Sequence, residues 1–251
     1  MNRQQMVINT IAFMDLVKQG QMQQVFLAES KNLGVRTVEV RREFFSGIEE
    51  MRETAHEANR HGITLFYSIP HPLFVEGRLA REEIDRVFTE AEVLCAKAVK
   101  WNCGDFTGWT DEDLAWMNDR LTRYRGLFTV ENDQTMHNGT VEGLHTFLTQ
   151  AKALGLPIRY TFDVANWAWV GEDPLENAKR MSEFVSYIHL KDVQFIAGVP
   201  NAVPLGEGVL PLVEILSVLP TEVPIALEYP CGERPFEVLD RGVHWIEENT
   251  G

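Results

Sequence analysis

Apolar positions in this chain fall into short runs separated by longer amphipathic stretches, and the two alternate from one end to the other. Residues 6–9 read as a first strand, after which Asp15 is expected to cap a helix that carries Leu16, Val25, Phe26 and Ala28 to a stop at Gly34. A second strand, 35–40, ends in Glu39, and the helical spacing of 49–60 closes at His61-Gly62. A third strand, 63–69, runs into Pro70-His71-Pro72, where proline restricts the backbone. The clearest helix is 82–97, with Ile84, Val87, Phe88, Ala91 and Leu94 on one face and charges on the other. Strand 98–102 follows, and Thr110 with Asp113 predicts a capping box for a helix reaching Tyr124. Strands 126–132, 158–166, 185–193 and 223–229 then alternate with helices over 140–154, 173–184, 211–219 and 234–248. Asp173-Pro174 opens the second of these, with proline at the favoured first position. After Val193 the chain is expected to loosen through Gly198, Pro200 and Pro204.

Eight strand-helix pairs with no linker between them call for parallel strands joined by helical crossovers. At 251 residues they call for one (β/α)₈ barrel domain spanning residues 1–251. The alternative is a doubly wound open sheet, but no Gly-x-Gly-x-x-Gly follows the first strand.

The last four strands end in ionisable residues: Glu131, Asp163, His189 and Glu228, in that order. In a barrel, catalytic groups come from the C-terminal ends of several strands, so these four converge. Three carboxylates and an imidazole form a mostly hard ligand set suited to one divalent cation, Mn²⁺, Mg²⁺, Co²⁺ or Zn²⁺. Without a dication, three carboxylates held together would raise one another's pKa.

Charge and cysteine usage narrow the partners. A formal charge of −14 repels a phosphate backbone, so nucleic acid is not an expected partner. Three widely spaced cysteines with no C-x-x-C pair fit neither a disulfide framework nor a zinc ribbon, and a reducing, cytoplasmic compartment is expected. No apolar run approaches the roughly 20 residues that span a bilayer, and no apolar signal core follows Met1, so no membrane partner is expected.

Val130-Glu131-Asn132, Phe162-Asp163-Val164-Ala165-Asn166, Ile188-His189-Leu190-Lys191-Asp192, the turn Pro204-Leu205-Gly206-Glu207-Gly208 and Leu227-Glu228-Tyr229 together carry a resemblance. The chain resembles the xylose-isomerase-like TIM-barrel superfamily, the sugar phosphate isomerase/epimerase group, in which ketose 3-epimerases, hydroxypyruvate isomerase, inosose dehydratase and endonuclease IV also fall. The resemblance implies that Glu131, Asp163, His189 and Glu228 bind the metal and that Glu131 and Glu228 are the acid/base pair. It implies isomerisation or epimerisation of a small keto sugar or hydroxy-carbonyl compound through an enediolate. A dehydratase on the same site, or a barrel that binds a sugar or partner without turnover, are the alternatives. Two positions depart from the pattern: Asn166 stands where the family often has a histidine, and Phe195 near where an epimerase arginine is common. The first departure and the acidic charge argue against the three-zinc nuclease branch.

Around this core, Asn166, Lys191, His71 and Glu39 are candidate substrate contacts, with Lys191 either over the substrate or paired with Asp192. Trp109 and Trp167, with Trp169, Phe13 and Phe45, follow strand ends and could wall off a sugar. Arg41, Arg42 and Arg234 lie near the same end and leave room for a substrate phosphate. The outer helices of such barrels often pair, so a homo-oligomer is compatible with the reading.

Overall fold

The computed structural model of the protein describes residues 2–136 and 139–250. Met1 and Gly251, the ends of the expected domain, lie outside the described residues. Eight parallel strands close into a barrel: β1 Met6–Asn9, β2 Thr37–Arg41, β3 Thr64–Val75, β4 Ala98–Gly104, β5 Leu127–Glu131, β6 Ile158–Asp163, β7 Val185–Leu190 and β8 Ile225–Leu227. Closure is made by β8 against β1, with Val7 opposite Ala226 and Ile8 opposite Leu227.

The strands alternate, but with apolar groups on both sides at one end and on one side only at the other. Outward residues such as Val38, Leu65, Val99, Phe128, Phe162, Ile188 and Leu227 are buried in the large core shared with the helices. Inward residues at the N-terminal end, Val7, Phe66, Ala98, Tyr187 and Ala226, form a separate small cluster inside the barrel. Because side chains two apart in a strand share a face, the next inward residues are Asn9, Ser68, Lys100, His189 and Glu228. All five are buried and polar or charged. The C-terminal half of the interior is therefore a site, not a core.

The helices follow the predicted signals where caps are present. Thr110 accepts from the Asp113 amide at 3.1 Å and opens the helix Asp111–Tyr124. Asp173 accepts from the Leu175 and Glu176 amides, with Pro174 in the first turn of Pro174–Met181.

Four local expectations are corrected. The long helix expected after Asp15 is broken into Thr10–Phe13, Met14–Lys18, Gln23–Phe26 and Leu27–Asn32, with Gly20 at φ +91° between the second and third pieces. The side chain that caps this region is Asn9, which accepts from the Ile11 amide at 2.9 Å. Strand 185–193 is two strands: β7 stops at Leu190, and Asp192–Ile196 pairs antiparallel with Val199–Val203 across Ala197-Gly198, both at positive φ. This hairpin occupies the stretch expected to be loose. Finally, β3 continues past Pro70-His71-Pro72 through a register shift and folds back on Arg78–Leu79. Among the described residues, no helix is long and apolar enough to cross a membrane.

Candidate metal centre at the strand tips

The parallel register sets the site. Asp163 lies opposite His189 on the neighbouring strand, and His189 opposite Ala226, one pleat before Glu228. Ligand atoms of Glu131, Asp163, His189 and Glu228 all come within 4.8 Å of one another, and all four residues are buried. The four strand-tip residues are thus brought to one point.

Each is held by a different device. Asp163 is locked from two directions: Oδ1 accepts from the Ala165 and Asn166 amides at 2.9 Å each, and Oδ2 lies 2.5 Å from Lys191 Nζ. Asn132, next to Glu131, ties β5 to β6 by accepting from the Asp163 amide at 2.9 Å and donating to its carbonyl at 3.0 Å. Glu228 Oε1 accepts from Arg41 Nη1 at 3.0 Å and Asn9 Nδ2 at 3.4 Å, while Oε2 accepts from Lys191 at 2.8 Å. Glu131 Oε2 accepts from Lys100 Nζ at 2.6 Å.

The imidazole of His189 sits between two sets of carboxylates. Nδ1 is 2.5 Å from Glu131 Oε1 and 3.2 Å from Glu228 Oε2; Nε2 is 2.9 Å from Glu39 Oε2. Yet neither nitrogen, nor Glu131 Oε1, completes a hydrogen bond of acceptable geometry among the described residues. Buried polar atoms are almost always satisfied, so these orphans mark what the site is built to receive. With Nδ1 toward the carboxylates and Nε2 turned to Glu39, the ring has the surroundings of metal-binding histidines, and Glu131, Asp163, His189 and Glu228 would hold the ion. The donor set fits a divalent ion.

The electrostatics are those of a crowded acid cluster. Burial works against an ionised Glu131, but Lys100 and then His189 outweigh it and hold the carboxyl at about 2. Burial pushes Asp163 up, Lys191 pulls it down, and the charges of Glu228 and Glu131 leave it at about 7. Burial works to strip the His189 proton, but Glu228, Glu39 and Glu131 hold its pKa well above the ordinary value.

Above this cluster opens a cavity of about 340 Å³, lined among others by Arg41, Lys100, Asn102, Asn166 and Lys191. Asn166 therefore faces the cavity, with its amide donating to the Asn132 carbonyl at 2.8 Å and accepting from Gln134 at 3.0 Å. Lys191 also lines it, but pairs with Asp163 and Glu228 rather than Asp192. Asp192 instead accepts from the Gly208 and Leu210 amides. That closeness explains the glycine-rich turn: a Cβ on Gly208 would stand 2.2 Å from Asp192 Oδ1.

Four candidate substrate contacts are placed elsewhere. Glu39 is wholly buried beneath the imidazole, receiving Asn9 Nδ2 at 2.6 Å and the Tyr187 hydroxyl at 3.0 Å on the oxygen that faces His189. His71 lies outside the cavity lining, with Nδ1 3.3 Å from Arg42 Nη1. Trp109 packs in an aromatic nest with Phe74, Phe106 and Phe147. Trp167 is fully buried against Phe162. Trp109 and Trp167 belong to the core packing, because the long loops need apolar anchors of their own. Of the other arginines considered, Arg42 is engaged by Glu83 and Glu90, and Arg234 by Glu237.

Sequence reasoning missed Lys100 and treated Arg41 only as a residue near the site. The signal was period two: Lys100 and Asn102 share a face with Ala98, and Arg41 shares one with Glu39.

Comparisons with solved structures agree with this architecture. A xylose isomerase domain protein from Planctomyces limnophilus superposes with a TM-score of 0.66 at 16% identity, covering 98% of this chain and 96% of that one. A D-psicose 3-epimerase gives 0.69 at 12% identity over 98% and 99%. The probable 3-DHS dehydratase AsbF from Bacillus anthracis gives 0.69 at 13% identity over 98% and 100%. The IolI protein, solved with a binding zinc atom, gives 0.69 at 12% identity over 98% and 96%. No protein-family profile matches the chain, and no curated protein is similar to it in sequence. The chain has the xylose isomerase-like TIM-barrel fold.

Proposed function

We propose that the chain is a divalent-metal-dependent isomerase or epimerase of a small keto sugar or related hydroxy-carbonyl compound. The observation that carries this reading is the cluster of four buried ligands within 4.8 Å, with both His189 nitrogens and Glu131 Oε1 lacking hydrogen bonds among the described residues. Glu131, Asp163, His189 and Glu228 would hold the ion, which would supply Lewis-acid polarisation of a substrate carbonyl. Mn²⁺, Mg²⁺, Co²⁺ and Zn²⁺ all suit the ligand set.

The chain's own residues supply proton transfer. Glu131 arrives from β5 and Glu228 from just beyond β8, so the two carboxylates approach the cavity from separate sides. One removes the proton next to the carbonyl, and the other delivers a proton to the opposite face or to the adjacent carbon. Lys100 on Glu131, and Arg41 with Lys191 on Glu228, hold both carboxylates in position. Asn166, at the cavity wall, would offer its amide to a sugar hydroxyl. Fold neighbours that act as epimerases, and IolI with its bound zinc, are consistent with this reading.

Elimination of water is the second reading, favoured by the Lys191 ammonium. It lies between Asp163 and Glu228 and could protonate a departing β-hydroxyl after the same C–H abstraction. The fold neighbour described as a probable 3-DHS dehydratase supports keeping it.

Elemental analysis of the purified protein tests the metal first. About one equivalent of a divalent metal is expected, lost in His189→Ala and Asp163→Ala. Deuterium from solvent should then enter carbon in a keto sugar if the enzyme isomerises or epimerises, while loss of water identifies the dehydratase. A protein that takes up no metal, even when offered Mn²⁺ or Co²⁺, is instead a binding scaffold.

A further inference from the structure

We infer that the substrate carries an anionic group, a carboxylate or a phosphate, seated against Arg41 and Lys100; the inference rests on the metal-dependent reading above. Three observations lead to it.

The first is register. Arg41 on β2 lies opposite Ser68 on β3, and Ser68 lies opposite Lys100 on β4, so the three stand in one row across adjacent strands. With strands about 4.8 Å apart, the row spans about 10 Å, the width of a small substrate end. All three share the inward face with Glu39, Phe66 and Ala98, two residues before each. Arg41 and Lys100 both line the cavity.

The second is unused donor capacity. Ser68 Oγ is buried and has no hydrogen-bond partner among the described residues. Arg41 spends Nε on Glu43 and Nη1 on Glu228, leaving Nη2 unengaged among the described residues. Lys100 uses one of its three donors, on Glu131. The amide oxygen of Asn102, at the same wall, is an unsatisfied acceptor suited to a neighbouring hydroxyl.

The third is charge. Arg41, Lys100 and Lys191 line the cavity and are paired with Glu131, Asp163 and Glu228. A dication held by those three carboxylates would draw on the negative charge the cations now face, and a buried cation costs several kcal/mol unless it is matched. A neutral polyol supplies no match; a negative charge on the substrate does.

Calorimetric titration of the Mn²⁺-loaded full chain tests this with three six-carbon probes: D-fructose, 5-keto-D-gluconate and D-fructose 6-phosphate. A charge-assisted contact predicts that one anion binds about ten- to a hundredfold more tightly than D-fructose. Its preference should weaken as salt is raised and disappear in Lys100→Met and Arg41→Gln. Arg41→Lys, which keeps the charge but loses the fork, should retain part of it. Which anion binds separates a carboxylate seat from a phosphate seat. Equal affinity of all three probes, or binding of neither anion, in protein that holds its metal overturns the anionic substrate and leaves the metal reading standing. Failure to retain metal, read by elemental analysis of the same sample, overturns the metal reading and with it the need for a matching negative charge.

Discussion

At the N-terminal end of the barrel the inward positions are Val7, Phe66, Ala98, Tyr187 and Ala226, a closed apolar plug. Two residues further along the same strands stand Asn9, Ser68, Lys100, His189 and Glu228. The two layers are about 7 Å apart. One is held by dispersion and exclusion of water, the other by ion pairs that would be costly if any partner were missing. The plug makes the charged layer affordable: it fixes the strand register, and the register places Asp163 beside His189 before any charge is considered. The two layers should therefore respond separately to mutation.

The largest separation is expected from the acid/base pair. Glu131→Gln and Glu228→Gln should each lower turnover by about 10²- to 10⁴-fold, the usual contribution of a positioned proton-transfer group, with the folded barrel retained. Solvent deuterium exchange into the converted substrate reads the loss, and circular dichroism reads the fold. Turnover that survives both substitutions removes the proposed mechanism. The converse change lies one layer down. Phe66 packs edge-on to Tyr187 with ring centroids 5.3 Å apart, and Phe66→Ala should cost about 3–5 kcal/mol in denaturant unfolding. At temperatures where the variant is folded, its metal content should match the wild type. Coupled loss of stability and metal would mean that plug and site are one cooperative unit.

The contrast also explains what was readable from the sequence. The eight-strand rhythm was legible because every outward strand face meets a helix and must be apolar, which gives runs such as Val38, Val40 and Phe128, Val130 a clear signature. Glu131, Asp163, His189 and Glu228 were legible because each stands at a strand end, where polarity changes abruptly. Lys100 was hidden because it sits inside a strand between Val99 and Trp101 and reads as a lone charge in an apolar run. Trp109 and Trp167 were misplaced because a loop aromatic has the same local pattern whether it walls a cavity or anchors the loop. Only tertiary packing separates Phe74, Phe106 and Phe147 around Trp109 from an open site. The hairpin at 192–203 was hidden by Pro200, which can sit in an edge strand where its missing N–H is not required.

Glu39 gives the finest test of where the two layers meet. Its Oε2 receives Asn9 and Tyr187 and faces His189 Nε2 at 2.9 Å, so one oxygen joins the last apolar-layer residue, Tyr187, to the imidazole. Its reach to any substrate is blocked, since the side chain is fully buried. A residue in this position acts through the histidine, by fixing its ring and raising its basicity. Glu39→Gln keeps the shape and can still accept from Asn9 and Tyr187, but it removes the charge opposite Nε2. Metal affinity should fall about ten- to a hundredfold, while the unfolding midpoint moves little. Glu39→Asp keeps the charge at a shorter reach and should recover part of the affinity. Competition with a fluorescent chelator measures both variants. Wild-type affinity in Glu39→Gln would show that the carboxylate only fills space below the ring. A large loss of stability with unchanged metal affinity would place Glu39 in the plug rather than the site.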